Sequence, residues 1–176
     1  MQPSLLSRIS DEQCVSLIGM AGAGKSTLAA LLARRLGWAC LDTDRLIEAT
    51  YGARLSDILE RLGLEGFLRL EEDVVAGLHV KRCVVATGGS VVYGRRAVDR
   101  LRACGPVVYL SIDLSTFLSR LGDPEARAFV IPNGMTLPEV YAERQPLYAA
   151  AANLTVSSCG LSPEACVEQI LQGLKP

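Results

Sequence analysis

The sequence predicts an α/β fold of three layers, with helices on both faces of a five-stranded parallel sheet. Two observations carry this. Short apolar runs alternate with amphipathic stretches from end to end. The runs are also mostly continuous rather than alternating in polarity, as strands covered on both faces are. With 176 residues, 49% hydrophobic and 21% charged, the chain has the length and composition of one globular domain, 1–176 with its core at about 14–174.

The strands, in order, are CVSLIG (14–19), WACLD (38–42), CVVAT (83–87), PVVYLS (106–111) and NLTV (153–156). Helical patterns fill the gaps at 25–36, 45–50, 56–62, 67–79, 97–104, 114–121 and 137–150, with a last one at 163–174. Ser162-Pro163 is a start signal for the last, since proline fits a first helical turn. From Gly122 to Pro138 the chain is polar, and Pro124, Pro132, Asn133, Gly134 and Pro138 block regular structure. Connections of that length are uncommon in compact domains. With Arg127 in it, the segment reads as a lid, the alternative being a passive loop.

Composition removes several function classes. Eighteen Lys and Arg nearly balance nineteen Asp and Glu, so the chain lacks the basic field that a nucleic-acid backbone demands. No run approaches membrane length, and the N-terminal MQPSLLSRISDEQ has no apolar stretch long enough for a signal peptide. Six cysteines include no CxxC pair, and His79 alone cannot complete a zinc site. Cysteines inside apolar runs behave as small buried hydrophobes, as in a reducing compartment. The expectation is a cytosolic protein with a small-molecule partner and no nucleic acid, membrane or obligatory second subunit.

The strongest local signal is Gly19-Met20-Ala21-Gly22-Ala23-Gly24-Lys25-Ser26, which fits G-x-x-x-x-G-K-[ST] at every fixed position. Glycines let backbone N–H groups converge on phosphate oxygens, and the following helix aims its positive end at them. Gly22, Ala23, Gly24, Lys25, Ser26 and Thr27 are the expected nucleotide-binding residues. Lys25 neutralises the β- and γ-phosphates, and the Ser26 hydroxyl is a Mg²⁺ ligand. A glycine-rich turn that contains Gly-Lys-Ser by chance would not also carry an apolar strand before it and KSTLAALLARRLG after it. ATP with Mg²⁺ is therefore the expected cofactor pair, and the fold is of the P-loop type.

Two further segments end strands on the same edge. In Leu41-Asp42-Thr43-Asp44, residues two apart in an extended backbone point the same way, beyond the carboxyl end of a strand. One carboxylate can hold Mg²⁺ through water and the other can orient an attacking hydroxyl. Otherwise Asp44 caps a helix and Asp42 is a solvated strand end. Ala86-Thr87-Gly88-Gly89-Ser90 offers bare backbone to a substrate, or else is a plain turn.

GMAGAGKST, LDTD, ATGGS, the arginine-bearing lid and Glu143-Arg144-Gln145-Pro146-Leu147-Tyr148 together resemble shikimate kinase, over roughly 14 to 174. The resemblance implies strand order 2-3-1-4-5 and transfer of the ATP γ-phosphate to a ring hydroxyl of shikimate. It places Asp44 at the acceptor hydroxyl as base and Asp42 at Mg²⁺ through water. Gly88 and Gly89 line the acceptor pocket, Arg127 closes over the transferring phosphate, Arg120 lies against the adenine and Arg144 grips the acceptor carboxylate. Arginine suits that last task because its guanidinium forks onto a carboxylate.

The chain also departs from the family pattern. Gly-Glu-x-x-Phe-Arg-x-x-Glu supplies a second carboxylate-binding arginine, and the ungapped reading Gly63-Leu64-Glu65-Gly66-Phe67-Leu68-Arg69-Leu70-Glu71 puts Leu68 there. A one-residue slip would match Glu65, Arg69 and Glu72 instead. Ser90 stands for a third glycine and Ala128 for a proline after the lid arginine, and the loop from Ser157 to Ser162 lacks its usual arginine. Two alternatives follow: a kinase of another small hydroxylated compound, and a non-catalytic nucleotide-binding regulator.

Overall fold

A computed structural model of the chain describes residues 12–124, 128–132 and 134–174. Five strands form one parallel sheet: β1 (Cys14–Ile18), β2 (Ala39–Asp42), β3 (Cys83–Ala86), β4 (Val107–Ser111) and β5 (Leu154–Ser157). Their order is β2-β3-β1-β4-β5, with every neighbouring pair parallel. β1 lies at the centre, and all five of its residues are buried, as its unbroken apolar run requires. The register sets Leu17 level with Ala86, and Ala86 level with Asp42. The chain therefore leaves β1, β2 and β3 at one height, on the carboxyl edge where ligands of such sheets bind.

Helices α1 (Lys25–Leu36), α2 (Thr43–Tyr51), α3 (Leu55–Ala76), α4 (Arg95–Cys104), α5 (Leu114–Leu121), α6 (Leu137–Ala151) and α7 (Pro163–Gly173) connect the strands. No helix among the described residues is long and apolar enough to cross a membrane. The two helices expected at 56–62 and 67–79 are present as the two arms of α3, divided by a kink at Gly63, whose φ 66 and ψ 176 are not helical. Glycine adopts that conformation without a Cβ clash, so the chain kinks for one residue and resumes the helix. α7 starts at Pro163 with Ser162 capping it through the Ala165 N–H, as read from the sequence.

Most of the core surrounds the sheet, and a smaller apolar cluster sits beside it. Ile47 of α2, Ile58, Phe67 and Leu70 of α3, and Val130 of the 122–136 connection form that cluster, with Leu68 packed against it. It fastens the α2–α3 arm to the segment expected to be a lid. Fully burying side chains of this size contributes roughly 1.5–3 kcal/mol each. Cys14, Cys83 and Cys166 are buried as expected, whereas Cys40 is exposed because β2 is an edge strand.

Candidate active site

The loop after β1 turns sharply into α1. Gly19 has φ 142, and a Cβ there would lie 2.5 Å from the Leu110 carbonyl oxygen, so no other residue fits. α1 then begins at Lys25, so its first N–H groups point into a cleft of about 470 Å³. Gly22, Gly24, Lys25, Ser26 and Thr27 line that cleft. Ala23 does not: it is buried, and its N–H donates to the Met20 carbonyl. Lys25 donates to the carbonyls of Gly19 and Met20, 2.8 Å each. Burial pushes its ammonium down to about 8, while Asp44, Asp42 and Glu71 oppose the shift. Arg120 lies against the outside of this loop, its Nη1 donating to the Gly22 carbonyl at 3.2 Å.

The two aspartates differ from the strand geometry expected for them. Asp42 ends β2 and is itself the cap of α2, accepting from the Asp44 and Arg45 N–H groups at 3.0 and 3.3 Å. Its other oxygen accepts from the Ser26 hydroxyl at 2.6 Å. Asp44 stands in the first helical turn, and both carboxylates still line the cleft. Asp44 is pushed up to about 6, first by burial and then by Asp42, with Lys25 opposing. Its carboxylate stays ionised at neutral pH and is more basic than an exposed one.

Ser26 and Asp42, the two residues expected at Mg²⁺, thus meet side by side beneath the phosphate loop. Among the described residues no group of three or more His, Cys, Asp or Glu side chains could hold a metal alone. One hydroxyl and one carboxylate suit Mg²⁺, which keeps several waters and takes its other ligands from substrate phosphates.

Beyond β3, Gly88 and Gly89 line the same cleft. A Cβ on Gly88 would lie 2.0 Å from Glu71 Oε1 and 2.8 Å from Asp44 Oδ1, so two acidic side chains close on bare backbone. Thr43 fixes this approach, its hydroxyl accepting from the Gly88 N–H at 3.2 Å. Glu71 is 2% exposed and cannot swing aside. Gly88→Ala is therefore expected to cut acceptor turnover at least about tenfold by moving these carboxylates. Turnover kinetics with an unchanged circular dichroism spectrum would check it, and wild-type turnover would refute the packing argument.

Glu71, which closes the Phe-x-x-x-Glu part of the family pattern but has no role in the sequence reading, lines the cleft. Burial pushes its carboxyl up to about 7, while a hydrogen bond from Ser90 and the charges of Arg144 and Lys25 oppose the rise. An acid raised on folding stabilises the native state fully below its unfolded value, and that contribution is lost as pH rises through about 7. Glu71→Gln should remove this loss, gaining on the order of 3 kcal/mol relative to wild type between pH 4 and pH 8. Thermal melts at the two pH values measure it; parallel shifts in both proteins would mean that Glu71 is not a buried acid.

Arg144 is wholly buried, a placement nothing in its helical context announces. Tyr93 and Phe129 cover it, each ring centre 5.0 Å from the guanidinium carbon. Its Nε donates to the Tyr93 hydroxyl at 3.1 Å and its Nη2 to the Val130 carbonyl at 2.6 Å. A guanidinium so clamped loses little freedom on meeting an anion. Arg127 lies outside the described residues, but its neighbours Ala128, Phe129 and Val130 line the cleft. Ala128 has φ 48, a conformation that the proline of the family pattern could not adopt.

α3 also separates the two alignments of its sequence. Phe67 and Glu71, one turn apart, face the cleft. Arg69 points to solvent, with 77% of its side chain exposed and a 3.2 Å ion pair to Glu65. The slipped alignment, which needs Arg69 in the pocket, does not describe this chain. Leu68 in turn does not line the cleft; it packs into the apolar cluster beneath it.

Comparison with known proteins matches this arrangement. The family model described as shikimate kinase matches residues 21–175. A shikimate kinase of Gloeobacter violaceus is 40% identical over 158 residues, covering 88% of each chain. One from Thermobifida fusca is 39% identical over 160 residues, covering 90% of this chain and 92% of its own. Among solved structures, shikimate kinase from Acinetobacter baumannii in complex with shikimate superposes with a TM-score of 0.83 at 31% identity, covering 91% of both chains.

Proposed function

Because the chain belongs to the shikimate kinase family, we propose that it transfers the γ-phosphoryl group of ATP to a hydroxyl of shikimate, giving ADP and shikimate 3-phosphate. One observation carries the reading: the phosphate loop, Asp44 and the clamped Arg144 open onto a single cleft. A nucleotide-binding regulator has no need of a base and a carboxylate-binding cation in one enclosure.

Asp44 accepts the proton of the acceptor hydroxyl as its oxygen bonds to the γ-phosphorus and the bond to the β-phosphate oxygen breaks. Lys25 and the N–H groups of the loop and the α1 start hold the β- and γ-phosphates and bear the charge that shifts between them. Ser26 and, through water, Asp42 would hold Mg²⁺, which would supply positive charge to the phosphates. Arg144 receives the acceptor carboxylate, and Gly88 and Gly89 let the ring approach backbone. Arg127 closes over the transferring phosphate from the 122–138 lid, and Arg120 supports the adenine side. The protein works as a single-domain monomer in the cytosol.

The test is ADP release from Mg-ATP with and without shikimate. Acceptor-dependent ADP is the expected result, and its absence at saturating shikimate overturns the assignment.

A further inference from the structure

The sequence replaces the second carboxylate-binding arginine with Leu68, and the structure shows no substitute from the same turn of α3. Leu68 is held in the apolar cluster, and Arg69 is turned outward to Glu65. The cleft sets four carboxylates, Asp42, Asp44, Glu48 and Glu71, against four cations, Lys25, Arg45, Arg54 and Arg144. A carboxylate entering it meets repulsion unless cations answer. Lys25 is committed to the phosphate loop. Arg144 already spends its Nε and Nη2 on Tyr93 and Val130. The remaining cations lining the cleft among the described residues are Arg45 and Arg54.

We propose that Arg54 binds the carboxylate of the acceptor at the cleft mouth, opposite Arg144, and so sets acceptor specificity in place of the arginine lost at Leu68; this rests on the assignment under Proposed function. Position favours Arg54 over Arg45. Arg54 immediately precedes α3, and its neighbours Leu55 and Ser56 line the cleft together with Phe67. The Leu55 N–H donates to Glu48 at 3.2 Å, which ties this corner to α2 and fixes where the arginine stands. The guanidinium already holds a carboxylate in fork geometry: Nε to Asp57 Oδ2 at 3.2 Å and Nη2 to Asp57 Oδ1 at 2.9 Å. That pair is exposed, with 80% of the Arg54 side chain open to water, and exposed pairs hold their partners weakly. Exchange of Asp57 for an acceptor carboxylate is therefore cheap, and the planar fork suits it. Arg45 instead pairs through a single 3.2 Å contact with Glu48, within its own helix.

Steady-state kinetics of wild type, Arg54→Ala, Arg54→Lys and Arg45→Ala, each with shikimate and with its methyl ester, tests the inference. Arg54→Ala is expected to raise the KM for shikimate about ten- to a hundredfold, with kcat and the KM for ATP within about twofold. The ester, which carries no charge, should be used equally by wild type and Arg54→Ala, and Arg54→Lys should recover part of the loss. The Arg54 side chain makes no capping bond to α3, so its removal leaves the helix start intact. A KM that rises equally for acid and ester would assign Arg54 a structural role and overturn the inference. So would an unchanged KM for shikimate, or an acid-specific loss in Arg45→Ala alone. Wild type inert towards shikimate would instead remove the acceptor assignment on which the inference rests.

Discussion

Lys25→Met is expected to lower kcat/KM by about a thousandfold or more while leaving the fold at least as stable as wild type. The two halves of this result have one cause. Lys25 is buried, and burial pulls its ammonium down from its ordinary value to about 8. A cation whose folded value is lowered costs the native state stability at any pH below about 8, and the cost fades as pH rises past that value. Methionine keeps the aliphatic stem and removes the cost. It also removes the charge facing the β- and γ-phosphates, which no neighbouring side chain can replace. Melting temperature and turnover measured on one preparation decide the matter. A stable variant with substantial turnover would dissolve the assignment of Lys25 to the phosphates.

Asp44→Asn should reduce kcat about a hundred- to ten-thousandfold with little change in the KM for ATP. The amide matches the carboxylate in size and still hydrogen-bonds, but it cannot accept the hydroxyl proton. Wild-type kcat/KM should fall on the acid side with a midpoint near pH 6, where the raised Asp44 carboxyl becomes protonated. The asparagine variant should lack that limb. Collapse of nucleotide affinity instead would place Asp44 with Asp42 on the metal side.

The sheet was legible because its strands are short, apolar on both faces and bounded by glycine, proline or charge. Each observed strand falls within one or two residues of its expected ends. Strand order was not readable from periodicity, which is blind to neighbours; it came from the family resemblance, and the sheet has that order. The phosphate loop was legible because its chemistry dictates fixed spacing. The carboxylate pair was found by the same logic, but the geometry behind it was mistaken. α2 begins at Thr43, so Asp42 and Asp44 share a cleft through a helix cap and a first turn rather than along one strand. The helical patterns at 56–62 and 67–79 are the two arms of α3, which meet at the non-helical Gly63. The family motif marks Arg144 as the carboxylate-binding cation, but its burial, and Glu71 altogether, escaped for a deeper reason. A buried charge depends on partners from other elements, here Tyr93, Phe129, Val130 and Ser90, and no local pattern contains them.

The central place of β1 has a consequence for how the chain is made. β1 pairs only with β3 and β4, and β2 pairs only with β3. Nothing before Cys83 can therefore form a single inter-strand ladder. During synthesis the phosphate loop and α1 emerge early, but the strand that anchors them waits for about seventy more residues before its first neighbour exists. Its apolar run stays unpaired throughout, the condition in which nascent chains associate wrongly. A ribosome-bound chain ending before Cys83 should accordingly remain protease-sensitive along β1, and one extending past β3 should be the first to protect it.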